Sequence, residues 1–349
     1  MMRIALVTPE YPGCGPSYGI GRYVHDLHGA LAAVGHQVQV LALTDGGAFK
    51  PGTGHAILAH LPHSLLLRPL AARAWLCREL QAFAPDVVEV PNWGALTAFI
   101  PASWPTVVRL STSAADAGGA GRDRWRILRL ALETRAVRRA SLVVADSGAM
   151  AMRAAALYGR AADIVIHHGW CGPVVATPGP RPRAVLFTGR WEPRKGVDVL
   201  LAAWPAVRAA VPDAVLHIVG SGQPTLAAGD GIVLHGRLAD DELAGLRLRC
   251  RIQAVPSRFE SFGLVVLEAW AAGLVPVVSD AGALPEVVAD AGLITPAGRP
   301  DNLAQALVAG LCSDLSDRWR AGAARLRGDL GVVAWTDATL AAYRRAIAA

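Results

Sequence analysis

The stretch E-S-F-G-L-V-V-L-E (260–268) decides how this chain folds. Two glutamates bracket seven residues, five of them apolar and one a glycine. The run before it, R-I-Q-A-V (251–255), reads as a short buried strand, and P-S-R-F-E-S-F-G follows as a turn. A helix then begins near Gly263, runs L-V-V-L-E-A-W-A-A, and stops at Gly273, a natural residue for the position past a helix end. Glu260 falls in the loop and Glu268 on the second helical turn, so the two are not neighbours on one exposed face. Between them lie the first amides of the helix, which have no intrahelical acceptor and commonly seat a phosphate. Gly263 lets a ligand approach the backbone. Carboxylates beside an anion site suit sugar hydroxyls rather than phosphate. The plainer alternative is that Glu268 pairs with an arginine and Glu260 is an acidic loop residue.

Outward from this stretch, strands and helices alternate. R-I-A-L-V-T (3–8), H-Q-V-Q-V-L-A-L (36–43), D-V-V-E-V (86–90), T-V-V-R-L (106–110) and S-L-V-V-A (141–145) read as buried strands. Helical spacing covers 19–34, closed by Gly35, and recurs near 68–82 and 122–140. At 171–183 the text becomes C-G-P-V-V-A-T-P-G-P-R-P-R, with four prolines and two glycines, which predicts a linker. Strands then resume at 184–189, 214–220, 232–235, 251–255, 275–279 and 293–296. The pattern predicts two Rossmann-like parallel-sheet domains, 1–172 and 173–330, and a closing helix in 331–349 that packs back on the first. Open parallel sheets bind ligands beyond the carboxyl ends of their strands, here in a cleft that the two domains face.

The bulk composition agrees with this. The 349 residues suit two domains, and 53% hydrophobic against 18% charged residues rules out disorder. No run of eighteen apolar residues predicts a spanning helix, and Met1-Met2-Arg3 leads straight into a strand rather than a secretory leader. Five cysteines (14, 77, 171, 250 and 312), odd in number and without a C-x-x-C pair, predict reduced thiols in a cytoplasm. The net charge of +6 is carried by dispersed arginines without aromatic interleaving, which argues against nucleic acid and for an anionic small molecule or membrane surface.

A second candidate site follows strand 184–188. G-R-W-E-P-R-K-G (189–196) sets Gly189 and then cations ahead of a helix, the form of a diphosphate clamp. Arg190 can bond bidentately and Lys195 adds a point charge, although a basic surface loop has the same text.

With both sites in view, nearly the whole chain resembles the family 4 retaining glycosyltransferases of GT-B fold. The residues that carry the resemblance are E-S-F-G-L-V-V-L-E-A-W-A-A-G-L-V-P-V-V-S (260–279), similar to that family's E-x7-E signature, and G-R-x-x-x-x-K-G (189–196). Y-G-I-G-R-Y-V-x-x-L (18–27), G-H-Q-V-Q-V (35–40) and V-V-A-D-S (143–147) follow the same family pattern in the same order. The resemblance implies that Glu268 holds the nucleotide ribose and that Glu260 lies by the donor sugar. The amides of Phe262, Gly263 and Leu264 would surround sugar and phosphate, Arg190 and Lys195 would neutralise the departing diphosphate, and Gly19 would close over it. Fixed cations stabilise the charge that develops on such a leaving group, so neither a metal nor any cofactor beyond the nucleotide-sugar co-substrate is expected, and no D-x-D triplet is present to hold a metal.

The chain also departs from the family. Tyr18-Gly19 stands where Gly-Gly is common, and Ser111 stands where a histidine commonly meets the donor sugar. A serine has no imidazole's acid–base range, so Ser111 is a candidate sugar or acceptor contact only. Asn92, at the end of D-V-V-E-V-P (86–91), is a second. His167 and His168 point to opposite faces of an extended segment, a poor metal pair. Residues 122–139 hold seven arginines against two acids, with Trp125, Leu128, Leu132 and Ala136 as an apolar stripe. That stripe packs on the sheet, or else lies on anionic lipid as a peripheral membrane contact. The expected activity is transfer of a sugar from a UDP-sugar, such as UDP-GlcNAc or UDP-glucose, to a small soluble acceptor such as an antibiotic aminocyclitol. The alternatives are a lipid or polysaccharide acceptor with a GDP- or UDP-sugar, a sugar-nucleotide epimerase, and a binding-only relative.

Overall fold

The computed structural model describes residues 1–13, 19–43, 56–59, 67–93, 100–101, 103–113, 115, 124–222 and 229–349. They divide into two compact units, Met1–Cys171 with Val332–Ala349, and Gly172–Gly331.

Unit 1 holds strands β1 (Arg3–Thr8), β2 (Gln37–Ala42), β3 (Ala56–Leu58), β4 (Val87–Pro91), β5 (Thr106–Leu110), β6 (Leu142–Ala145) and β7 (Ile164–Val165). They form one seven-stranded sheet in the order β3-β2-β1-β4-β5-β6-β7, and every pairing in it is parallel. Its helices are α1 (Gly19–Ala33), α2 (Leu67–Phe83), α3 (Arg124–Arg139) and α4 (Gly148–Tyr158). Helix α4 is closed at both ends, by the Ser147 hydroxyl on Met150 N and by Gly159 in the left-handed region. The strand interiors, such as Ile4, Leu6, Val40, Val87, Val107 and Val144, pack on Tyr23, Val24, Leu27 and Leu31 of α1.

Unit 2 repeats the plan with β8 (Ala184–Thr188), β9 (Val215–Val219), β10 (Ile232–Gly236), β11 (Ile252–Val255), β12 (Val275–Ser279) and β13 (Leu293–Thr295), ordered β10-β9-β8-β11-β12-β13 and all parallel. Helices α5 (Val197–Ala210), α6 (Asp240–Arg247), α7 (Leu264–Ala271), α8 (Leu284–Val288), α9 (Pro300–Cys312) and α10 (Ser316–Arg327) complete it. The chain runs from β8 outward to β10 and then returns to the other side of β8 as β11. The β8/β11 boundary is therefore the switch point of the sheet, where the loops beyond the two carboxyl ends diverge and leave a crevice. Helix α11 (Val332–Ala348) then rejoins unit 1, burying Trp335, Leu340 and Tyr343 in its core.

Two expectations are corrected here. The proline-rich segment 171–183 is not a free linker. Val175 N donates to Ala271 O at 2.9 Å, and Arg181 donates to Cys250 O at 2.8 Å and Ala272 O at 2.7 Å, so the segment is laid along unit 2 and covers the carboxyl end of α7. Nor does α3 bury the whole stripe read from its text: Ala136 is inside and Leu132 half-buried, but Leu128 is not. Ala136 packs inward with Glu133, Val137 and Ala140, whereas Leu128 is 48% exposed and Ile127 68%. The inward face is turned by one residue because the Glu133 carboxylate has buried hydroxyl partners. The side chain of Trp125 lies outside the described residues.

Candidate active site

At the β8/β11 switch point two loops meet. Residues 189–196 follow β8 and end in a short 3₁₀ turn, Pro193–Lys195, that aims two successive cations at the loop after β11. Lys195 Nζ lies 2.6 Å from Glu260 Oε1, and Arg194 Nη1 lies 3.7 Å from Glu260 Oε2. The Ser257 hydroxyl donates to Glu260 Oε1 at 2.8 Å, and the Ser279 hydroxyl in turn donates to Ser257 O. Glu260 itself is only 7% exposed. Burial works against its charge, but Lys195, Arg194 and the Ser257 hydroxyl outweigh burial and hold the carboxyl below the usual glutamate range.

The backbone fixes this arrangement. Arg258 N donates to Arg194 O at 2.7 Å, and Arg194 Nη1 donates to Phe259 O at 3.3 Å, tying the loops together. Arg258 adds a bidentate pair with Asp198 at 2.8 and 2.6 Å. Behind Glu260, Gly282 has φ +61°, and a Cβ there would sit 2.2 Å from Glu260 O. Only glycine lets the loop after β12 approach so closely, and Ala283 N then donates to that same oxygen at 3.0 Å.

Helix α7 starts where the sequence places it, with Gly263 at φ +99° before Leu264. Phe262 is buried at 1%, and the amides of the first turn precede the first helical bond, from Val266 N to Gly263 O. Glu268 lies on the next turn, partly exposed, and pairs with Arg247 of α6. The plainer reading of Glu268 is thus realised here, and it leaves the carboxylate reachable from solvent.

Of the two cations named from sequence, Lys195 reaches Glu260 and Arg190 does not. The Arg190 side chain is 47% exposed and sits 3.3 Å from Glu192 Oε2. Sequence reasoning passed over Arg194, Glu192 and Ser257. The run R-K before a glycine was a signal for Arg194, but which of two adjacent cations turns inward depends on the turn that Pro193 starts.

Unit 1 carries two buried polar clusters. The first lies at the carboxyl ends of β4 and β5, where Asn92 is fully buried and accepts from Ser111 N at 2.8 Å and Ser111 Oγ at 3.1 Å. Asn92 Nδ2 donates to the Tyr158 hydroxyl at 2.9 Å, which donates to Glu133 Oε2 at 3.1 Å; the Ser113 hydroxyl joins that oxygen at 2.9 Å. Burial beside Glu133 pushes the Tyr158 hydroxyl above its ordinary range. Asn92 therefore holds the Ser111 backbone in place, and Ser111, partly exposed, is the member that faces outward. Gly19 opens α1, where a Cβ would meet no atom of the described residues within 4 Å, and Glu10 Oε1 accepts from Gly21 N at 2.8 Å. The rest of the glycine loop, 14–18, lies outside the described residues.

The second cluster sits within the sheet. Glu89 and Arg109, two register positions apart on adjacent strands, pair at 3.2 Å with both side chains almost wholly buried. Tyr23 and Tyr343 donate their hydroxyls to the two Glu89 oxygens, Tyr343 at 2.8 Å. Burial alone would favour a neutral guanidinium, but Glu89 keeps Arg109 charged. His168 joins this cluster, 4.7 Å from the Tyr23 ring and 3.7 Å from Asp146, and burial pushes its imidazole down. Among the described residues no group of three or more His, Cys, Asp or Glu side chains is arranged to hold a metal ion.

Comparison with known proteins agrees with the fold and the motifs. A family model for Glycosyltransferase Family 4 matches residues 18–170, and one for Glycosyl transferases group 1 matches residues 182–313. The glycogen synthase of Mycobacterium tuberculosis is 31% identical over 328 residues, covering 80% of this chain and 78% of that protein. A phosphatidyl-myo-inositol mannosyltransferase of Mycolicibacterium smegmatis is 41% identical over 150 residues, covering 40% and 38%. Among solved structures, sucrose-phosphate synthase from Thermosynechococcus elongatus superposes with a TM-score of 0.81 at 20% identity over 100% of both chains. The Anabaena protein HepE, in complex with UDP and glucose, does so with 0.75 at 20% identity over 97% and 98%.

Proposed function

The chain belongs to glycosyltransferase family 4 and has its GT-B fold, and on that premise we propose that it transfers a sugar, with retention at the anomeric carbon and without a metal, from a UDP-sugar to a hydroxyl of a small soluble acceptor such as an aminocyclitol. The observation that carries this reading is the contact of Lys195 and Arg194 with buried Glu260 at a sheet switch point, beside the first amides of α7. Phosphate oxygens fit those amides and cations, and the Glu260 carboxylate fits the sugar that the diphosphate carries. As the glycosidic bond breaks, charge grows on the departing diphosphate, and prearranged cations favour that state over the ground state. UDP is the favoured carrier; HepE, of the same fold, was solved with UDP bound.

Mechanism follows from position. Lys195 and, on approach, Arg190 stabilise the leaving group. Glu260, kept ionised by its neighbours, presents a fixed negative charge and a hydrogen-bond acceptor to the sugar ring. Glu268 exchanges Arg247 for ribose hydroxyls. Glu268→Ala should therefore weaken donor binding about tenfold with little change in turnover at saturation, measured as KM against kcat. Unchanged donor affinity would leave Glu268 as a partner of Arg247 alone.

A lipid acceptor is the second reading, favoured by one feature. Ile127 and Leu128 are exposed on α3 among arginines, and Glu133, one of the two acids of that segment, is buried and cannot offset them outside. Incubation with UDP- and GDP-sugars against aminocyclitols, and against phosphoinositide in anionic vesicles, separates the two by product. A new soluble glycoside with the donor's anomeric configuration supports the first. A glycolipid replaces it with the second, and an epimerised sugar nucleotide would sink both.

A further inference from the structure

Five charged groups alternate in sign across the two loops: Arg190, Glu192, Arg194, Glu260 and Lys195. Transfer as proposed gives tasks to the cations and to Glu260, and none to Glu192. A carboxylate beside a diphosphate seat repels the ligand, so its presence needs a reason. Both arginines meet it: Arg194 donates to Oε1, and Arg190 straddles the two oxygens, reaching Oε1 at 3.4 Å. Arg194 Nη2 lies 2.7 Å from Oε1 and Arg190 Nη2 lies 3.3 Å from Oε2. The two contacts differ in kind. The Arg194 side chain, 16% exposed, is also held by Phe259 O and faces Glu260, so it is anchored on both sides. The Arg190 side chain is 47% exposed, and an ion pair of that length in solvent is weak and easily exchanged.

We infer that Glu192 is a positioning residue with two effects: it clamps Arg194 against Glu260, and it holds Arg190 at the rim until a diphosphate takes that guanidinium over. The inference rests on the reading of this loop as the diphosphate site. On binding, Arg190 exchanges the Glu192 carboxylate, which only its Nη2 reaches, for phosphate oxygens, which bear more charge and accept its fork bidentately. Arg194 stays on Glu192.

Neutralising Glu192 therefore pushes binding and turnover in opposite directions. The competitor for Arg190 and a like charge near the ligand both disappear, so the nucleoside diphosphate binds more tightly. Arg194 loses one of its two anchors and keeps Phe259 O, Glu260 is less well placed, and turnover slows. A residue that only supported the loop would weaken both.

The test uses the full chain, calorimetry with UDP and GDP, and the release of nucleoside diphosphate from the matching sugar donor in water. Glu192→Gln is expected to tighten the better diphosphate about three- to tenfold and to slow its release from the donor about tenfold. Glu192→Asp should return both part way. Adding Arg190→Ala to Glu192→Gln should cancel the tightening, because the gain passes through that guanidinium. If the wild type binds a diphosphate and Glu192→Gln binds it no more tightly, this inference is overturned and the site stands. If neither protein binds any diphosphate, the site reading falls and takes the inference with it.

Discussion

Replacing Lys195 with alanine is expected to lower turnover about 10²- to 10³-fold, while donor KM changes far less. Its ammonium is the closest cation to Glu260, at 2.6 Å, and the side chain is mostly covered. Two losses combine in the variant. The leaving diphosphate has one fixed charge fewer, and among the described residues Glu260 keeps Arg194 at 3.7 Å and the Ser257 hydroxyl. Lys195→Arg should retain part of the rate, since charge persists while the planar fork does not match a point contact. The assay is initial-rate kinetics with saturating donor, with a melt to confirm folding. A turnover equal to wild type would remove Lys195 from the chemistry.

The second large effect concerns stability rather than rate. Glu89→Ala should destabilise unit 1 by about 3–5 kcal/mol, because it strands a buried guanidinium. Arg109 is 2% exposed, and its one carboxylate partner among the described residues is Glu89. The hydroxyls of Tyr23 and Tyr343 lose their acceptor with it, so α11 is loosened from the sheet as well. Denaturant titration of the full chain should show one transition moving to lower concentration and the other unmoved. A shift worth less than about 1 kcal/mol would mean that the pair behaves as an exposed one.

The architecture was readable from sequence where local signals suffice. Buried strands alternating with helical spacing give two parallel sheets, and Gly263 after P-S-R-F-E-S-F marks the start of α7 within a residue. The order of strands was not readable, since alternation says nothing about where β4 or β11 inserts. Side-chain pairing over long separations was hidden too. Glu268 meets Arg247 across two helices, and Glu89 meets Tyr343 across 254 positions. A signal for the Glu89–Arg109 pair was nonetheless present. V-V-E-V and V-V-R-L each embed one charge in a buried strand, and opposite charges in such places are seldom unpaired.

The polar interior of unit 1 shows why periodicity misled on α3. Arginines occupy several faces of that helix, and their long stems make any face look half apolar. Glu133 reads as a solvent residue in such a text, but Ser113 and Tyr158 offer hydroxyls that take it inside. Asn92 is a similar case: a cleft-edge position in sequence, a fully engaged buried amide in the fold. Ser111, which it holds, is the residue of this cluster best placed to meet a ligand.

The central claim is that the Lys195–Glu260 site takes a nucleoside diphosphate, and a thermal-melt panel with UDP, GDP, ADP and dTDP tests it most directly. A ligand at about a hundred times its dissociation constant adds roughly 2.7 kcal/mol to the folded state, a rise of a few degrees for units of this size. One diphosphate, UDP by this account, should raise the melt of the wild type, and the rise should shrink for Glu268→Ala. A folded wild-type protein whose melt is unmoved by all four would contradict the claim.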